Sequence, residues 1–478
     1  MLVVLASILL RLTYIGQPLR PDEAGYLLVA ESWHHNGPNL YGSYWVDRPP
    51  LLIALFKLAS LVDWPPAVRL VALPFVALMV VSAAWAAHQV AGPRGARWAA
   101  LVGAALLTTP ALASQAADGE IFAAPLVMLS VALTIKAARS DGAARAGVAL
   151  LAGLAAGAAV MVKQNFADGV VFAIVLVVAS TVQGAMRRRK ALTILSWGAV
   201  GVVTPVAAAL AWARWASVGA TELWFDVFGF RWAAFDVIED HNLIRPLERA
   251  AVLVAAATLA GLIPMAVVVT RSAWRARFHG SPLSWAIGVT ALYGVAGIAG
   301  GGNYWAHYLQ QLAPMAALAT GLWAVHIASL RRIAVLTVAS ALASTMFFLL
   351  VGAVSSHNAQ RLGDWLRDSG RAGDTMTVLY GHADVQQAAG MTSPYEHLWS
   401  LPMRTLDPDL AELRRVLGGP DAPTWVVGWS DLNSWEIDSD DRLRDELAAH
   451  YRLAGTVCGT PVWLHTGVRR ELATAPQC

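Results

Sequence analysis

The stretch RPDEAGYLLVAESWHHNGPNLYGSYWVDRPPLL, residues 20–52, decides how the rest of the chain is interpreted. It directly follows the apolar opening MLVVLASILLRLTYIG, yet it carries Asp22, Glu23, Asp47 and Arg48 together with two histidines and several aromatic residues. Ionisable groups are excluded from the hydrocarbon core of a bilayer. A polar cluster placed immediately after a membrane-like segment therefore predicts a site at the boundary of a membrane.

The composition of the whole chain supports a membrane protein. Of 478 residues, 57% are hydrophobic and only 14% are charged, and the mean hydropathy is +0.52. Such values are too apolar for a soluble globular protein of this length. The formal net charge of +3 gives no indication of a nucleic-acid partner. Arginine far outnumbers lysine, which is typical of a GC-rich bacterial genome.

Apolar runs long enough to cross a bilayer recur along the chain, and we predict about eleven transmembrane helices. The predicted spans are 1–16, 66–91, 96–113, 119–138, 145–163, 166–183, 191–213, 250–270, 283–301, 307–328 and 332–354. The run LLIALFKLASLVD, residues 51–63, is too short to cross and predicts a re-entrant or interfacial helix. The first segment lacks the basic start and cleavage site of a signal peptide, so we expect it to be retained.

Basic loops fix the expected orientation. They lie at 91–97, 138–145, 185–190, 271–277 and 330–332, and the positive-inside rule assigns them to the cytoplasm. With a cytoplasmic N-terminus, the predicted spans place all five loops on that side. The segments expected outside are 17–50, 114–120, 163–168, 214–248, 301–307 and everything after about 355. We therefore predict a multi-pass protein of the bacterial plasma membrane with an extracytoplasmic C-terminal end.

The tail predicts a separate small domain. We divide the chain into a membrane domain, 1–355, and an extracytoplasmic α/β domain, 356–478. TMTVLYG, TWVVGW and PVWLH predict strands, whereas LDPDLAELRRVLGG and DRLRDELAAHY predict amphipathic helices. Cys458 and Cys478 are the two cysteines of the chain. They either form a disulfide outside the cytoplasm or remain inert thiols.

The sequence of the opening loop predicts its local structure. Tyr26, Ala30 and Trp33 recur at helical spacing, which predicts a short interfacial helix over residues 23–35. Gly37-Pro38 ends that helix, and Asp47-Arg48-Pro49-Pro50 closes the loop before the next one. Two acids and an arginine held at the bilayer surface suit a general base beside an anionic leaving group.

The order of these motifs resembles a known family. A first span with an LRL element is followed by DE…Y…A, then LY, then D-[KR]-PP; Asp118-Gly119-Glu120, Lys163-Gln164 and NYWAHYLQQLAP (303–314) agree with the same pattern. This is similar to the membrane glycosyltransferases of the GT-C fold that use polyprenyl-phosphate sugars, the group of protein O-mannosyltransferases and aminoarabinose transferases. The resemblance implies an all-α polytopic GT-C membrane domain, here with a small C-terminal extracytoplasmic α/β domain.

The resemblance also implies roles for individual residues. Asp22 matches the catalytic base, which deprotonates the acceptor hydroxyl for an in-line, inverting attack on the sugar. Glu23 and Tyr26 orient the base and the sugar. Arg48 stands where many relatives have lysine and contacts the donor phosphate. Asp118 matches a second catalytic acid, which either polarises the site or holds a divalent ion.

Further residues are implied as substrate-binding by the same match. These are Asp47, Glu120, Lys163, Tyr304, His307 and Tyr308, with Lys163 and His307 as additional phosphate ligands. The implied partners are a polyprenyl-phosphate-linked sugar donor, the bilayer, and an acceptor that is a protein, a lipid or a cell-wall glycan. Two nearby carboxylates suit Mg²⁺ or Mn²⁺. Members of the group differ in their need for metal, so the cofactor stays open.

Structural interpretations compete with each of these roles. Asp22-Glu23 and Asp118 are also suitable N-terminal residues of helices. Lys163 at the end of a span is often only a snorkelling side chain, and His307 fits an aromatic belt. His382 and Asp384 in YGHAD mark a strand-to-helix turn, with acceptor contact as the lesser alternative.

Two other classes of function are compatible with the composition. One is a flippase or transporter of lipid-linked sugars, and the other is a non-catalytic protein that binds cell-envelope components through its outer domain. Intramembrane charges are usual in transporters, and we find none at a predicted midplane. The one-sided acidic cluster instead favours an enzyme, a hexosyl- or pentosyltransferase.

Overall fold

A computed structural model describes residues 1–239, 244–275, 280–352 and 357–478 of the chain. Most of these residues are helical, and a small sheet is confined to the C-terminal part. The predicted domain boundary at 355–356 and part of the basic loop 271–277 lie outside the described residues.

The described membrane part contains helices of very different lengths. Its α-helices are α1 (Leu2–Leu12), α2 (Pro21–Glu31), α3 (Pro50–Ala59), α4 (Ala67–Thr108), α5 (Gly119–Arg139), α6 (Gly142–Val162), α7 (Asp168–Val182), α8 (Arg188–Trp215), α9 (Ala220–Trp224), α10 (Phe230–Glu239), α11 (Ile244–Leu259), α12 (Leu262–Arg275), α13 (Pro282–Gly300), α14 (Ala313–Trp323) and α15 (Ala328–Phe347). Short 3₁₀ helices lie at Pro110–Leu112 and Ala306–Leu312, and π-helical turns at Phe225–Gly229 and Phe348–Gly352.

Six of the described helices are long and apolar enough to cross a membrane, or seven if the bent pair α11 and α12 counts as one span. Others that lie on predicted spans are shorter; α1 has 11 residues and α7 has 15. The predicted polytopic, mainly helical architecture is confirmed. Length and composition in the structure do not by themselves give the predicted count of eleven.

Glycines account for two differences between predicted spans and helices. The predicted spans 66–91 and 96–113 both lie in α4, with no loop between them. They are separated by a kink at Gly92, which has φ 67° and ψ −162° and immediately precedes Pro93. The predicted span 250–270 is instead two helices at 68° to each other. They meet at Gly261, whose φ of +79° favours glycine and whose added Cβ would lie 2.0 Å from Thr337 Oγ1.

The predicted short elements around the opening loop are present. The interfacial helix expected at 23–35 is α2, and the short run 51–63 is α3, too brief to cross a bilayer. Pro50 opens α3, as a proline at the first helical position should.

The C-terminal part folds around a four-stranded sheet. Its elements are α16 (Asn358–Ser369), β1 (Met376–Val378), α17 (Ala383–Ala389), α18 (Ser400–Leu406), α19 (Ala411–Leu417), β2 (Trp425–Val427), α20 (Arg442–His450), β3 (Tyr451–Val457) and β4 (Thr460–His465). The strand order is β1-β2-β4-β3, parallel only between β1 and β2. The three predicted strands and both predicted helices are confirmed. The strand β3 escaped prediction because most of its residues between the two ends are partly or fully exposed.

The two cysteines are joined in a disulfide between Cys458 and Cys478. It ties the end of the chain to the turn between β3 and β4. Of the two alternatives left open by the sequence, the structure contains the paired one.

The C-terminal part sits directly on the opening loop. Tyr44 accepts hydrogen bonds at its hydroxyl from the Gln386 side chain (3.0 Å) and from the Ser393 backbone N–H (2.8 Å). Asn39 Nδ2 donates to Glu396 Oε2 at 2.7 Å. The helix α17 packs on α2. These contacts place the C-terminal part against the polar cluster at residues 20–52.

Close packing of α6 and α8 depends on glycine. An added Cβ at Gly201 would lie 2.2 Å from the carbonyl oxygen of Leu150 and 2.7 Å from the backbone nitrogen of Leu154. Small residues at such crossings let helix backbones approach in membranes, where apolar burial gives little driving force. At Gly198, one turn earlier, the nearest neighbour of an added Cβ is at 3.9 Å.

We therefore expect Gly201→Ala to destabilise the protein and Gly198→Ala to leave it nearly unchanged. Overpacking of this kind typically costs about 1–3 kcal/mol. Heating each variant in detergent and following the loss of monodisperse protein measures the effect. Equal stability of the two variants would contradict the close α6–α8 contact.

Candidate active site

Two neighbouring acids in the first turn of α2, Asp22 and Glu23, face different surroundings. Pro21 begins α2, and the acids Asp22 and Glu23 fall in its first turn. Glu23 Oε2 accepts the backbone N–H of Arg20 at 3.0 Å, which caps the helix. Because successive helical residues point about 100° apart, Asp22 is left to face the other way.

Glu23 is fully buried against Arg69 of α4. Arg69 donates from Nε (2.9 Å) and Nη2 (2.7 Å) to the two carboxylate oxygens, and the backbone N–H of Ala117 adds a third bond at 2.7 Å. Burial alone raises the pKa of Glu23, but Arg69 and these hydrogen bonds outweigh it and hold the pKa below its usual value. Arg69 also donates to the carbonyls of Tyr14 and Gln17.

A cavity of about 670 Å³ opens beside this pair, between the membrane helices and the C-terminal part. Four membrane-domain segments predicted to lie outside reach its wall: 17–50, 114–120, 214–248 and 301–307. The fifth, 163–168, lies just behind the wall, where Lys163 pairs with Glu120. The prediction that these segments share one side is consistent with this convergence.

Asp22 lies in the wall and meets the C-terminal part there. Its Oδ1 accepts a hydrogen bond from the indole nitrogen of Trp399 at 2.8 Å. A donor on one carboxylate oxygen fixes the rotation of the carboxylate. The other oxygen remains to receive a proton from a molecule in the cavity.

Two arginines flank a single acid in the same cavity. Arg48 Nη1 lies 2.5 Å from Asp47 Oδ1, and Arg231 pairs with Asp47 Oδ2. Arg48 Nε also donates to the Tyr26 hydroxyl at 2.9 Å. Burial raises the pKa of Asp47, but Arg231 and Arg48 outweigh it and hold that pKa below its usual value. The set carries a net positive charge, and preorganised guanidinium groups bind phosphate.

A second acid, Asp118, has a different environment. Its Oδ1 is buried without a hydrogen-bond partner among the described residues, and its Oδ2 lies 3.5 Å from His307 Nδ1. Burial and the neighbouring carboxylates of Asp22 and Glu120 raise the pKa of Asp118 well above its usual range. The protonated form of this side chain, which can donate a hydrogen bond, is therefore favoured more than in an ordinary aspartate.

Behind Asp118 lies a buried pair. Glu120 is ion-paired with Lys163, whose ammonium lies 4.7 Å from the ring centroid of Tyr308. Burial lowers the pKa of Lys163, and Glu120 opposes the effect. Burial likewise lowers the pKa of His307, which lies 3.7 Å from Glu120. A neutral imidazole thus separates the pair from Asp118.

Known structures share this architecture. ArnT from Cupriavidus metallidurans bound to undecaprenyl phosphate matches with a TM-score of 0.65 at 16% identity, over 97% of this chain and 97% of ArnT. Its apo structure gives 0.63 at 15% identity and the same coverage. The oligosaccharyltransferase AglB from Archaeoglobus fulgidus, in complex with an inhibitory peptide and a dolichol-phosphate, gives 0.57 at 12% identity, over 97% of this chain and 74% of AglB.

The chain has the GT-C fold. This confirms the fold that the motif order implied. No protein-family model and no curated protein matches the sequence. At these identities the likeness shows the fold alone, so the chemistry depends on the site.

Seven of the predicted site residues line the GT-C cavity: Asp22, Tyr26, Asp47, Arg48, Asp118, His307 and Tyr308. Four do not line it, namely Glu23, Glu120, Lys163 and Tyr304. The first three form buried ion pairs behind the wall. Tyr304 has a positive φ of 51°, and its hydroxyl lies 3.5 Å from the carbonyl of Ala299.

Other lining residues escaped sequence reasoning. Arg231 lies between aromatic residues, FGFRW, in the predicted outer segment 214–248. An arginine among aromatic residues at a predicted membrane boundary could have indicated a functional residue. Trp399, Arg404 and Trp435 come from the C-terminal part and reach the cavity only through the fold. His382 lies at the strand-to-helix turn predicted for it, capping α17, yet it also lines the cavity.

The residues present offer few ligands for a metal. Among the described residues no group of three or more acids, histidines or cysteines is placed to hold an ion. Asp22 and Asp118 supply two carboxylates at most. Mg²⁺ bound by so few protein ligands takes the remainder from substrate phosphate and water.

We expect Arg69→Met to lower the free energy of unfolding by about 3–5 kcal/mol, because it leaves the Glu23 carboxylate buried without its partner. Adding Glu23→Gln should recover part of the loss. Arg367→Met is a matched control, since Arg367 pairs with Asp364 at 2.6 Å while 54% exposed and should cost about 1 kcal/mol or less. Denaturant unfolding in detergent measures all three. Similar losses for Arg69→Met and Arg367→Met would refute this assignment.

Proposed function

We propose that the protein is an inverting membrane glycosyltransferase that moves a sugar from a polyprenyl-phosphate donor to an extracytoplasmic acceptor. The observation that carries the proposal is that Asp22 shares one cavity with the guanidinium groups of Arg48 and Arg231. A base and an anion site are what transfer from a phosphate-linked sugar requires. The fold supports it, since the matched ArnT structure is bound to undecaprenyl phosphate and that of AglB to dolichol-phosphate.

Arg48 and Arg231 form the donor-phosphate site in this proposal. Tyr26 and Asp47 hold the two guanidinium groups in place, so little ordering remains for binding. We assign the phosphate to these arginines in preference to Lys163, because Glu120 already neutralises that ammonium. Apolar surface of the neighbouring helices accommodates the polyprenyl chain.

The transfer step uses Asp22 as the general base. The acceptor hydroxyl oxygen forms a bond to the anomeric carbon, and its proton passes to the Asp22 carboxylate. The bond from that carbon to the phosphate oxygen breaks, and polyprenyl phosphate leaves with the electron pair. Arg48 and Arg231 stabilise the charge that develops on the leaving phosphate. Attack opposite the leaving group inverts the configuration.

Asp118 contributes in its protonated form as a hydrogen-bond donor. Its buried Oδ1 has no hydrogen-bond partner among the described residues, and its pKa is raised, which suits a hydrogen bond donated to the sugar or to the leaving oxygen. The buried pair of Glu120 and Lys163 then acts behind it, holding His307 and Tyr308 in the wall.

The acceptor enters on the C-terminal side of the cavity. Tyr380, His382 and Trp435 line that side, and each has a positive φ close to 60°. Strained backbone of this kind clusters at functional sites. Arg404 lies over the Trp435 ring at 5.0 Å. An aromatic, basic wall is compatible with a protein, lipid or glycan acceptor and with a hexosyl or pentosyl donor.

The two ends of the structure support a proposed membrane orientation. Away from the cavity, Lys190 lies 3.9 Å from Asp141, and Gln183 donates to the carbonyl of Gly280 at 2.9 Å, so basic loops gather there. We propose that this end and the N-terminus are cytoplasmic, that eleven segments cross, and that the cavity and the domain 356–478 are outside.

Reporter fusions at Arg188 and Ser430 test the orientation. We expect a cytoplasmic reporter to be active at Arg188 and an extracytoplasmic reporter to be active at Ser430, because five predicted spans separate the two positions. A cytoplasmic reporter active at Ser430 would overturn the topology.

We expect Asp22→Asn to lower transfer by about a hundredfold or more, the usual contribution of a general base. Asparagine keeps the size, the oxygen that accepts the Trp399 N–H and the capping ability. The purified protein is given undecaprenyl-phosphate mannose, arabinose and aminoarabinose with envelope extract of a deletion strain as the acceptor source. Release of undecaprenyl phosphate is measured for each donor.

Arg48→Ala is the complementary variant in that experiment. It should weaken binding of undecaprenyl phosphate in detergent about ten- to hundredfold, as expected for a charge-assisted contact. Asp22→Asn should leave that binding nearly intact. Normal turnover by Asp22→Asn would remove Asp22 as the base, and unchanged binding by Arg48→Ala would remove Arg48 from the phosphate site.

A further inference from the structure

Trp399, from the C-terminal part, contacts Asp22 directly. It immediately precedes α18, and its indole nitrogen donates to Asp22 Oδ1 at 2.8 Å. The two residues are 377 positions apart in the chain. The contact therefore exists only when the C-terminal part is docked on the opening loop.

The indole is fixed from two sides by α2. Its ring centroid lies 5.4 Å from that of Tyr26, at an interplanar angle of 38°. Its edge lies over Gly25, where an added Cβ would meet Trp399 Cζ2 at 2.3 Å. Gly25 of the DEAGY motif is thus required because any side chain at this position would clash with the indole of Trp399. Backbone conformation does not require it, since Gly25 is in a regular helix.

The segment that carries Trp399 is anchored to the same loop. The backbone N–H of Trp45 donates to the carbonyl of Glu396 at 3.1 Å, and the Glu396 side chain accepts from Asn39 at 2.7 Å. Ser393 N–H donates to the Tyr44 hydroxyl at 2.8 Å. The indole is consequently held with little freedom relative to Asp22.

We propose that Trp399 is a positioning residue for the general base, so that the C-terminal domain completes the active site. This inference rests on the proposed function, since it requires Asp22 to be the base. The indole N–H occupies Oδ1 and directs Oδ2 to the acceptor hydroxyl. Without Trp399 the carboxylate of Asp22 is free to rotate, and Oδ2 is no longer directed to the acceptor hydroxyl.

A purely structural role for Trp399 makes different predictions. If the indole only packs on Tyr26 and Gly25, phenylalanine fills most of the same space and kcat does not change. If the N–H positions the base, phenylalanine keeps the packing but removes the hydrogen bond to Asp22, and kcat falls while KM for the donor stays nearly the same. Trp399→Phe therefore distinguishes the two roles.

The matched control is Trp365→Phe. Trp365 is buried in the same domain and donates its indole N–H to the Ala473 carbonyl at 2.9 Å, and it does not line the cavity. Both variants lose one indole hydrogen bond, so a general loss of domain stability affects both. Gly25→Ala is a second variant, because its methyl group displaces the indole while Asp22 and Trp399 remain present.

The variants are assayed for release of undecaprenyl phosphate from the undecaprenyl-phosphate mannose, arabinose and aminoarabinose panel. Trp399→Phe should lower kcat about ten- to hundredfold, as for a lost hydrogen bond to a charged group. KM for the donor and binding of undecaprenyl phosphate should change about threefold at most. Gly25→Ala should give a similar loss of kcat with little change in KM.

The outcomes separate this inference from the function on which it rests. A normal kcat in Trp399→Phe, or an equal loss of kcat in Trp365→Phe, overturns the positioning role while an inactive Asp22→Asn keeps the function. An active Asp22→Asn overturns the assigned base itself. If Trp399→Phe does not fold, the kcat and KM of Gly25→Ala decide the question in the same way.

Discussion

The buried pair of Glu23 and Arg69 is the interaction on which the rest of the site depends. It joins the opening loop, the long helix α4 and the backbone at Ala117, which is one residue before the second acid of the cavity. With Glu23 committed to the interior, its neighbour Asp22 must face the cavity. Two adjacent acids thus have separate tasks because a helix points them in different directions.

The electrostatics of the cavity follow from that arrangement. The carboxylate of Asp22 contributes to the raised pKa of Asp118, which favours the protonated form of that acid. Asp47 is meanwhile shared by Arg48 and Arg231, which leaves an excess of positive charge in the cavity. Three carboxylates of one cavity thus have different charge environments because their neighbours differ.

Much of this could be predicted from the sequence, because a bilayer restricts where polar residues lie. Charge and apolar periodicity were sufficient to group the outer segments, and local patterns found α2, α3 and three strands. Residue spacing alone could not show that Glu23 is buried while Asp22 lines the cavity, since both are acids in one helical turn; only the family resemblance gave them different roles. Nor could the sequence find Trp399, whose place depends on contacts between distant segments. The broken span at Gly261 was missed because the apolar composition of residues 250–270 does not reveal that one residue adopts a positive φ.

The docking of the C-terminal part links stability to chemistry. Its contacts with the opening loop through Tyr44, Asn39 and Trp45 are neutral hydrogen bonds or bonds to a single carboxylate, each worth about 0.5–3 kcal/mol. None lies in the membrane part alone, so both halves must be folded before the wall around Asp22 exists. Under the proposed role of Trp399, the opening loop without the docked C-terminal part is therefore an incomplete active site. Gly25 reflects this dependence in the sequence. Because glycine has no side chain, it leaves the space on α2 that the indole of Trp399 from the C-terminal part occupies.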